Sequence, residues 1–294
     1  MTDIISKDHL NADSPEMQAW IGSVLTEDIG AGDITTESIV DGSLKARAHI
    51  SAKEDGVLCG LDLIKQVFLK LDAECRFDDL GNRDGGRIAS GGQIMEIAGS
   101  CRALLTGERT ALNILQRLSG IATRTHEFVK AASPVTILDT RKTTPGLRQL
   151  EKYAVYCGGA RNHRFGLYDA VLIKDNHIKI AGGVEEAVKR TREKLGRNFP
   201  IEVEAADFAE VAAALQAGAD IILLDNMSDP EIEKAVEQIG GKAKIEVSGN
   251  ITLERLRQLR TMKIDFVSVG ELTHSVRAID LSMNIDVSAS VPHR

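Results

Sequence analysis

The sequence predicts an α/β protein in which a (β/α) barrel of six or seven parallel strands follows an N-terminal α+β domain. Two observations lead to the barrel. Six short apolar runs recur in the second half of the 294-residue chain, between 21 and 35 residues apart, and helical patterns separate them. Each run also ends in polar or small residues. This alternation is typical of parallel βα units.

The six runs, rich in Val, Ile and Leu, suit strands that are buried on both faces. They are "VTILDTRK" (135–142), "AVLIKDNH" (170–177), "IEVEAA" (201–206), "IILLDN" (221–226), "KIEVSGN" (244–250) and "DFVSVGE" (265–271). Helices are predicted between the later runs, over residues 184–195, 207–217, 229–239 and 252–260. An open sheet and a closed barrel both accommodate right-handed crossovers. We favour the barrel, because active sites of barrels lie at the strand ends, where the candidate functional groups fall. A full barrel takes about 250 residues, so six or seven strands fit better than eight.

The first 125 residues mix helix and hairpin patterns. A short amphipathic helix is predicted over residues 17–26. Alternating residues in "LKARAHISAKEDGVLCG" and "GGRIASGGQIMEIAG" predict two hairpins, the first turning at Asp55-Gly56. A further helix is predicted over residues 106–120, with Thr106 as N-cap and Arg109 in the first turn. A cation there opposes the helix dipole, so Arg109 needs another reason to be at this position.

Composition narrows the class of protein. The net charge of −7 does not favour nucleic-acid or membrane partners. The polar N-terminal sequence does not resemble a signal peptide, and no apolar run approaches the roughly 20 residues of a membrane span. The four scattered cysteines suggest neither disulfides nor a zinc site. We therefore expect a cytoplasmic enzyme.

Residues 141–179 form a basic segment with eight cationic and three acidic side chains. Such a segment suits a small multiply charged anion, although a solvated helix face is the alternative. Arg141, Arg164 and Lys174 fall near predicted strand ends, with His163 beside them. Two arginine forks can orient a dicarboxylate.

Acidic and glycine residues follow the later strands. Glu204 and Asp225 end neighbouring strands, where they suit Mg²⁺ or sugar hydroxyls. The alternative is that Glu202 or Glu204 pairs with a core lysine. The turn Ser248-Gly249-Asn250 and Gly270 expose backbone N–H groups that suit phosphates, and His274 lies close in sequence. We thus expect a ligand with carboxylates at one end and phosphates with a metal at the other. No motif indicates covalent acyl chemistry or a dinucleotide fold.

Several segments resemble the quinolinate phosphoribosyltransferase family, also called carboxylating nicotinate-nucleotide pyrophosphorylases. They are "ERTALNILQRLSGIAT", "DTRKTTPGLRQLEKYAVYCGGARNHRFGLYDAVLIKDNHI", "EVEAADFAE", "LLDNM" and "EVSGNIT". The resemblance implies a sandwich-like N-terminal domain, an incomplete α/β barrel, and a homodimer with shared active sites, or a larger oligomer. It implies conversion of quinolinate and phosphoribosyl pyrophosphate (PRPP) to nicotinate mononucleotide, pyrophosphate and CO₂ with Mg²⁺, in de novo NAD synthesis.

The resemblance also implies residue roles. Arg109 reaches quinolinate from the partner subunit, while Arg141, His163, Arg164 and Lys174 hold its carboxylates. Lys142 contacts PRPP, and Glu204 and Asp225 bind ribose hydroxyls or Mg²⁺, directly or through water. Ser248, Gly249, Gly270 and His274 surround the 5′-phosphate. The catalytic set is Lys142, Lys174, Glu204 and Asp225, with Lys174 central to decarboxylation. Some relatives carry Ser-Gly-Gly where this chain has Asn250, so a backbone contact there requires Asn250 to adopt unusual dihedrals.

The expected domains are residues 1–125 and 126–279, with the tail 280–294 packing back on the first. Three other functions fit parts of the pattern. Lys174 at a barrel strand end could form a Schiff base, as in an aldolase. A sensor could bind PRPP without turnover, although the full set of basic and acidic groups argues against it. A related enzyme could act on another substrate if its dicarboxylate site differed.

Overall fold

The computed structural model describes residues 10–286, which divide into two compact units. The barrel unit comprises Thr125–Arg148 and Ala160–His274. The N-terminal unit comprises the described residues up to Arg124, the segment Gln149–Gly159 and the described residues from Ser275 onward. The division differs from the predicted domains, because residues 149–159 fall within the span assigned to the barrel yet cluster with the N-terminal unit.

The N-terminal unit contains six strands and four short helices, the fourth being α5 (Arg148–Cys157), of which all but Arg148 cluster here, and a long helix begins in it. The strands are β1 (Lys45–Ala52), β2 (Gly56–Val57), β3 (Arg76–Asp78), β4 (Arg87–Ile88), β5 (Gln93–Ser100) and, from the end of the chain, β12 (Leu281–Asp286). The other helices are α1 (Pro15–Ile29), α2 (Ile34–Ile39), α3 (Leu61–Leu71) and the start of α4 (Cys101–Ala132). Four strands form an antiparallel sheet in the order β12-β1-β5-β3, and β2 pairs with β4. The expected return of the tail is therefore seen for residues 281–286, and residues 287–294 lie outside the described part.

Two predictions for this unit were wrong in detail. The predicted hairpins do not form, because β1 pairs along both edges, with β5 and β12, and β2 pairs with β4. The helix predicted over residues 106–120 begins five residues earlier, at Cys101. Thr106 lies inside that helix and its hydroxyl donates to Asp33 over 3.0 Å. Arg109 is therefore in the third turn, and the helix-dipole argument for its role does not hold.

The barrel unit contains a six-stranded parallel sheet in the order β6-β11-β10-β9-β8-β7. Its strands are β6 (Thr136–Leu138), β7 (Val171–Ile173), β8 (Ile201–Ala205), β9 (Ile221–Asp225), β10 (Lys244–Ser248) and β11 (Phe266–Ser268). From β7 to β11, strands that follow one another in the chain also pair in the sheet, and β11 pairs with β6. The strands β6 and β7 do not pair with each other, so the barrel is incomplete between them. A single parallel bridge, Leu138 to Arg161, extends the free edge of β6. The predicted incomplete barrel with six strands is confirmed.

The helices of this repeat are α6 (Asp175–Ala181), α7 (Val184–Leu195), α8 (Phe208–Ala217), α9 (Asp229–Ile239), α10 (Leu253–Leu259) and α11 (Glu271–His274). The four from α7 to α10 match the predicted helices to within one residue, because clear sequence features mark their ends, whereas α6 and α11 were not predicted. Asp207 caps α8 by accepting from the N–H of Glu210, and Gly218 ends it in a left-handed conformation. The helix α5 (Arg148–Cys157) was not predicted. No helix among residues 10–286 is long and apolar enough to cross a membrane.

Candidate active site

A cavity of about 670 Å³ opens at the carboxyl ends of the barrel strands. Side chains two residues apart in a strand share a face, so the strand residues that line the cavity fall into two layers. The rim layer, at or just beyond the strand ends, contains Lys174, Glu204, Asp225, Ser248 and Gly270. The floor layer, two residues earlier on four of these strands, contains Leu172, Leu223, Glu246 and Ser268.

The cavity brings together every predicted site residue of the barrel unit. These residues are Arg141, Lys142, His163, Arg164, Lys174, Glu204, Asp225, Ser248, Gly249, Gly270 and His274. Arg109 belongs to the N-terminal unit, where it lines a different cavity with Asp28, Asp33 and Thr106. The cationic side chains of the basic segment (residues 141–179) do not all line this cavity either. Lys152 is fully buried in the N-terminal unit, and Lys179 pairs with Asp175 along α6.

Arg141 and Arg164 form the cationic wall of the cavity. Arg164 is buried, and both this burial and the positive charge of Arg141 lower the pKa of its guanidinium. The Nε of Arg141 is buried and has no hydrogen-bond partner among residues 10–286. Two neighbouring guanidiniums with an unused donor suit an anion that offers several oxygens.

A buried and a half-buried carboxylate hold the loop that carries this wall. Asp139, at the end of β6, accepts from the N–H of His163 over 2.8 Å. Asp169 accepts from the N–H of Phe165 over 2.6 Å. Because these bonds fix the backbone on both sides of Arg164, its side chain is directed before any ligand arrives.

His163 is bound into a buried acidic cluster beneath the cavity. Its Nδ1 accepts from the N–H of Arg164 over 2.7 Å, and its Nε2 lies 3.1 Å from Oε2 of Glu202 and 3.7 Å from Oε1 of Glu246. Burial raises the pKa of Glu202 to about 7. Burial and then the negative charge of Glu202 raise the pKa of Glu246 to about 8. Glu202 thus faces a histidine and a second acid, not the core lysine of the alternative interpretation.

Carboxylates and a strained turn also line the cavity. Lys174 pairs with Glu204, with Nζ and Oε2 3.0 Å apart, and Asn226 donates to Asp225 over 2.7 Å. Gly249 has φ +92°, and a Cβ there would lie 2.1 Å from Oδ1 of Asn226. Only glycine fits at that position.

Asn250 follows with φ +51°, a left-handed conformation that asparagine tolerates better than most residues. The departure from Ser-Gly-Gly is therefore compatible with the backbone of this turn. Gly270 forms a second close approach, since a Cβ on it would lie 3.0 Å from Cδ of Lys142 and 3.1 Å from Nε2 of His274.

The sequence interpretation missed the floor layer and Asn226. The sequence did contain a signal for Glu246, because burying an acidic residue in the middle of the apolar strand "KIEVS" is unfavourable unless a partner or a ligand compensates. Leu172 and Leu223 gave no such signal, since apolar residues are expected in buried strands.

Comparison with known proteins gives consistent relatives. The family models described as quinolinate phosphoribosyl transferase match residues 33–119 with the N-terminal domain and residues 121–284 with the C-terminal domain. A probable carboxylating nicotinate-nucleotide pyrophosphorylase of Bacillus subtilis is 43% identical over 93% of this chain and 94% of its own length. A decarboxylating quinolinate phosphoribosyltransferase of Nicotiana tabacum is 38% identical over 94% of this chain and 84% of its own. The crystal structure of NadC from Streptococcus pyogenes, 44% identical, superposes with a TM-score of 0.91 and covers 95% of this chain and 98% of that one.

Proposed function

We propose, since this chain belongs to the quinolinate phosphoribosyltransferase family, that it converts quinolinate and PRPP to nicotinate mononucleotide, pyrophosphate and CO₂ in NAD biosynthesis. One observation carries the proposal. A single cavity is lined by two guanidiniums, by two carboxylates at strand ends and by glycine-bearing turns. This arrangement suits a ligand pair in which one member is a diacid and the other a phosphorylated sugar.

Arg141, Arg164 and Lys174 hold the two carboxylates of quinolinate in this proposal, with His163 completing the wall. The unused, buried Nε of Arg141 supports this role. Leu172 and Leu223 of the floor layer are apolar and suit the pyridine ring. The ring nitrogen is thereby oriented toward the ribose, which is the main contribution of the protein to the transfer step.

PRPP occupies the opposite side. Ser248, Gly249, Gly270 and His274 surround the 5′-phosphate, and Glu204 and Asp225 face the ribose. Lys142 neutralises the departing pyrophosphate. The left-handed turn at Gly249 supports this placement, because it brings the backbone to the cavity surface without a side chain in between.

Mg²⁺ fits Glu204 and Asp225. Both side chains are half-buried, lie in the rim layer and end adjacent strands. Neither belongs to a cluster of three potential ligands within 4.8 Å among residues 10–286, so water and substrate oxygens would complete the coordination that Mg²⁺ prefers. A bound Mg²⁺, held directly or through water, would offset the charge of the pyrophosphate.

Attack by the pyridine nitrogen on C1 of the ribose releases pyrophosphate and leaves a pyridinium. The pyridinium then accepts the electron pair left when the adjacent carboxylate departs as CO₂. Lys174 lies on the carboxylate side of the cavity and is expected to matter most in this second step. Its Nζ is engaged in an ion pair with Glu204, and a Schiff base would require that contact to be broken.

A homodimer that shares its active sites, or a larger oligomer of such dimers, is part of the proposal, with Arg109 acting on the site of the partner subunit. The cytoplasmic location inferred from the composition stays a prediction. The decisive assay supplies quinolinate, PRPP and Mg²⁺ and follows CO₂ and nicotinate mononucleotide. We expect both products only when PRPP is present. Binding of PRPP without any turnover would contradict the proposal and favour a sensor.

A further inference from the structure

Glu246 is a buried acid at the floor of the cavity that none of the roles above uses. It lies in the middle of β10, is fully buried and yet lines the cavity. Among residues 10–286 its neighbours are Glu202, His163 and Ser268, and neither of its carboxyl oxygens is held by a well-formed hydrogen bond. A buried carboxyl that is poorly satisfied is destabilising, so its presence facing the cavity indicates a ligand or a reaction step.

The charges around Glu246 show which form it takes. Glu202 faces it from β8, and the neighbouring His163 has its Nδ1 occupied by a backbone N–H, which leaves its Nε2–H directed at Glu202. Two buried carboxylates cannot both be ionised at low cost. The diacid proposed for this cavity adds further negative charge. Glu246 is therefore a neutral acid at neutral pH, in agreement with its raised pKa of about 8.

We propose that Glu246 delivers the proton that replaces the departing carboxylate on the pyridinium ring. This inference rests on the proposed function. The bond between the ring carbon and the carboxylate breaks, CO₂ leaves without the bonding pair, and the pair remains on the carbon next to the ring nitrogen. That pair forms a new C–H bond with the proton of the Glu246 carboxyl. Glu246 is left as a carboxylate and regains a proton from water in the open cavity.

The position of Glu246 suits this step better than that of Lys174 or His163. The Nζ of Lys174 lies at the rim in its ion pair with Glu204. The Nε2–H of His163 is directed at Glu202. Glu246 shares the floor layer with Leu172 and Leu223, where the ring is placed.

The test compares two substitutions in the full-length enzyme. Glu246→Gln keeps the shape and neutrality of the side chain but has no acidic proton, whereas Glu246→Asp keeps the proton on a shorter side chain. Folding is checked by circular dichroism and thermal melting. Single turnovers with carboxyl-labelled quinolinate, PRPP and Mg²⁺ follow pyrophosphate and CO₂ separately, and mass spectrometry detects quinolinate mononucleotide.

We expect Glu246→Gln to release pyrophosphate within about threefold of the wild-type rate, while CO₂ release falls by roughly 100-fold or more, as for loss of a general acid. Quinolinate mononucleotide should then accumulate, and Glu246→Asp should retain more CO₂ release than Glu246→Gln. A packing role predicts the reverse order, because aspartate disturbs the site more than glutamine. If Glu246→Gln does not fold, Glu246→Ala takes its place, because it also lacks the acidic proton, and it should show the same lowered ratio of CO₂ to pyrophosphate.

An unchanged ratio of CO₂ to pyrophosphate in folded Glu246→Gln overturns the assignment of Glu246, whether both releases are normal or both fall equally. These outcomes differ from failure of the proposed function. In that case the wild-type enzyme itself would release no pyrophosphate from quinolinate and PRPP. Glu237→Gln, an exposed substitution on α9, serves as the control and should match the wild type.

Discussion

Two glutamates on β8 show that the role of a single residue depends on its depth in the strand. Glu204 lies at the rim, where it pairs with Lys174. Glu202, two residues earlier on the same face, is buried against His163. The sequence identified the strand and both acids, yet it could not distinguish their partners, because these come from segments about 30 or more residues away.

The clearest test at this scale concerns Arg141. Arg141→Ala removes one guanidinium from the cationic wall, so quinolinate should bind about 10- to 100-fold more weakly, the range for a hydrogen bond to a charged group. PRPP binding should change by less than about threefold, because the fork recognises carboxylates. Isothermal titration with each ligand separately measures both. Arg257→Ala, an exposed substitution on α10, is the control, and an equal loss for both ligands would show that the wall is not selective.

At the scale of whole elements, local sequence patterns predicted the bounds of helices correctly, but they did not predict which strands pair. The bounds of α7 and α9 were predicted to the residue, because a hydrophobic period and a glycine at the end mark each of them. The hairpins of the N-terminal unit were wrong, since a turn signal does not specify which strand comes to lie alongside. The cavity followed from parallel topology alone, because that topology gathers the carboxyl ends of the strands.

The turn after β10 allows backbone strain to be separated from site geometry. Gly249 and Gly182 share φ +92°, but a Cβ on Gly249 would overlap Asn226 whereas nothing lies within 4 Å of one on Gly182. Both Gly249→Ala and Gly182→Ala should lose about 1–3 kcal/mol of stability from the left-handed conformation. We expect only Gly249→Ala also to lose PRPP binding, by about tenfold or more. Urea unfolding and PRPP titration measure the two effects, and normal PRPP binding by folded Gly249→Ala would exclude this turn from the phosphate site.

The free energy of unfolding of the whole molecule should depend on pH because of the buried acids. Because the folded state raises the pKa of Glu246 to about 8, the contribution of this carboxyl to the free energy of unfolding is largest below the pKa of an unfolded glutamate. It is lost as the pH rises toward 8, by up to about 1.4 kcal/mol per pH unit. Glu246→Gln should therefore lose less stability than the wild type between pH 6 and pH 8. Urea unfolding across this range, with Glu237→Gln as control, measures the difference, and parallel curves for wild type and Glu246→Gln would mean that Glu246 is ionised in the folded protein.

Assembly is the largest scale at which the proposed site is tested. Arg109 lies in the third turn of α4, so its proposed contact with quinolinate rests on the family resemblance, while in its own chain it lines a cavity with Asp28 and Asp33. If Arg109 serves the partner's site, then Arg109→Ala and Lys174→Ala subunits, each inactive alone, should recover activity when mixed. Random exchange puts half of the subunits in mixed dimers with one intact site each, so about one quarter of wild-type activity is expected.

Mixing Arg141→Ala with Lys174→Ala provides the matched comparison for that experiment. Both residues line the cavity of one barrel unit, so a mixed dimer has no intact site and should stay inactive. Subunit exchange is verified by mass spectrometry of differently tagged chains. Recovery in the first mixture but not in the second locates Arg109 across the subunit boundary. No recovery in either, after verified exchange, confines the active site to one chain and leaves Arg109 to its contacts within the N-terminal unit.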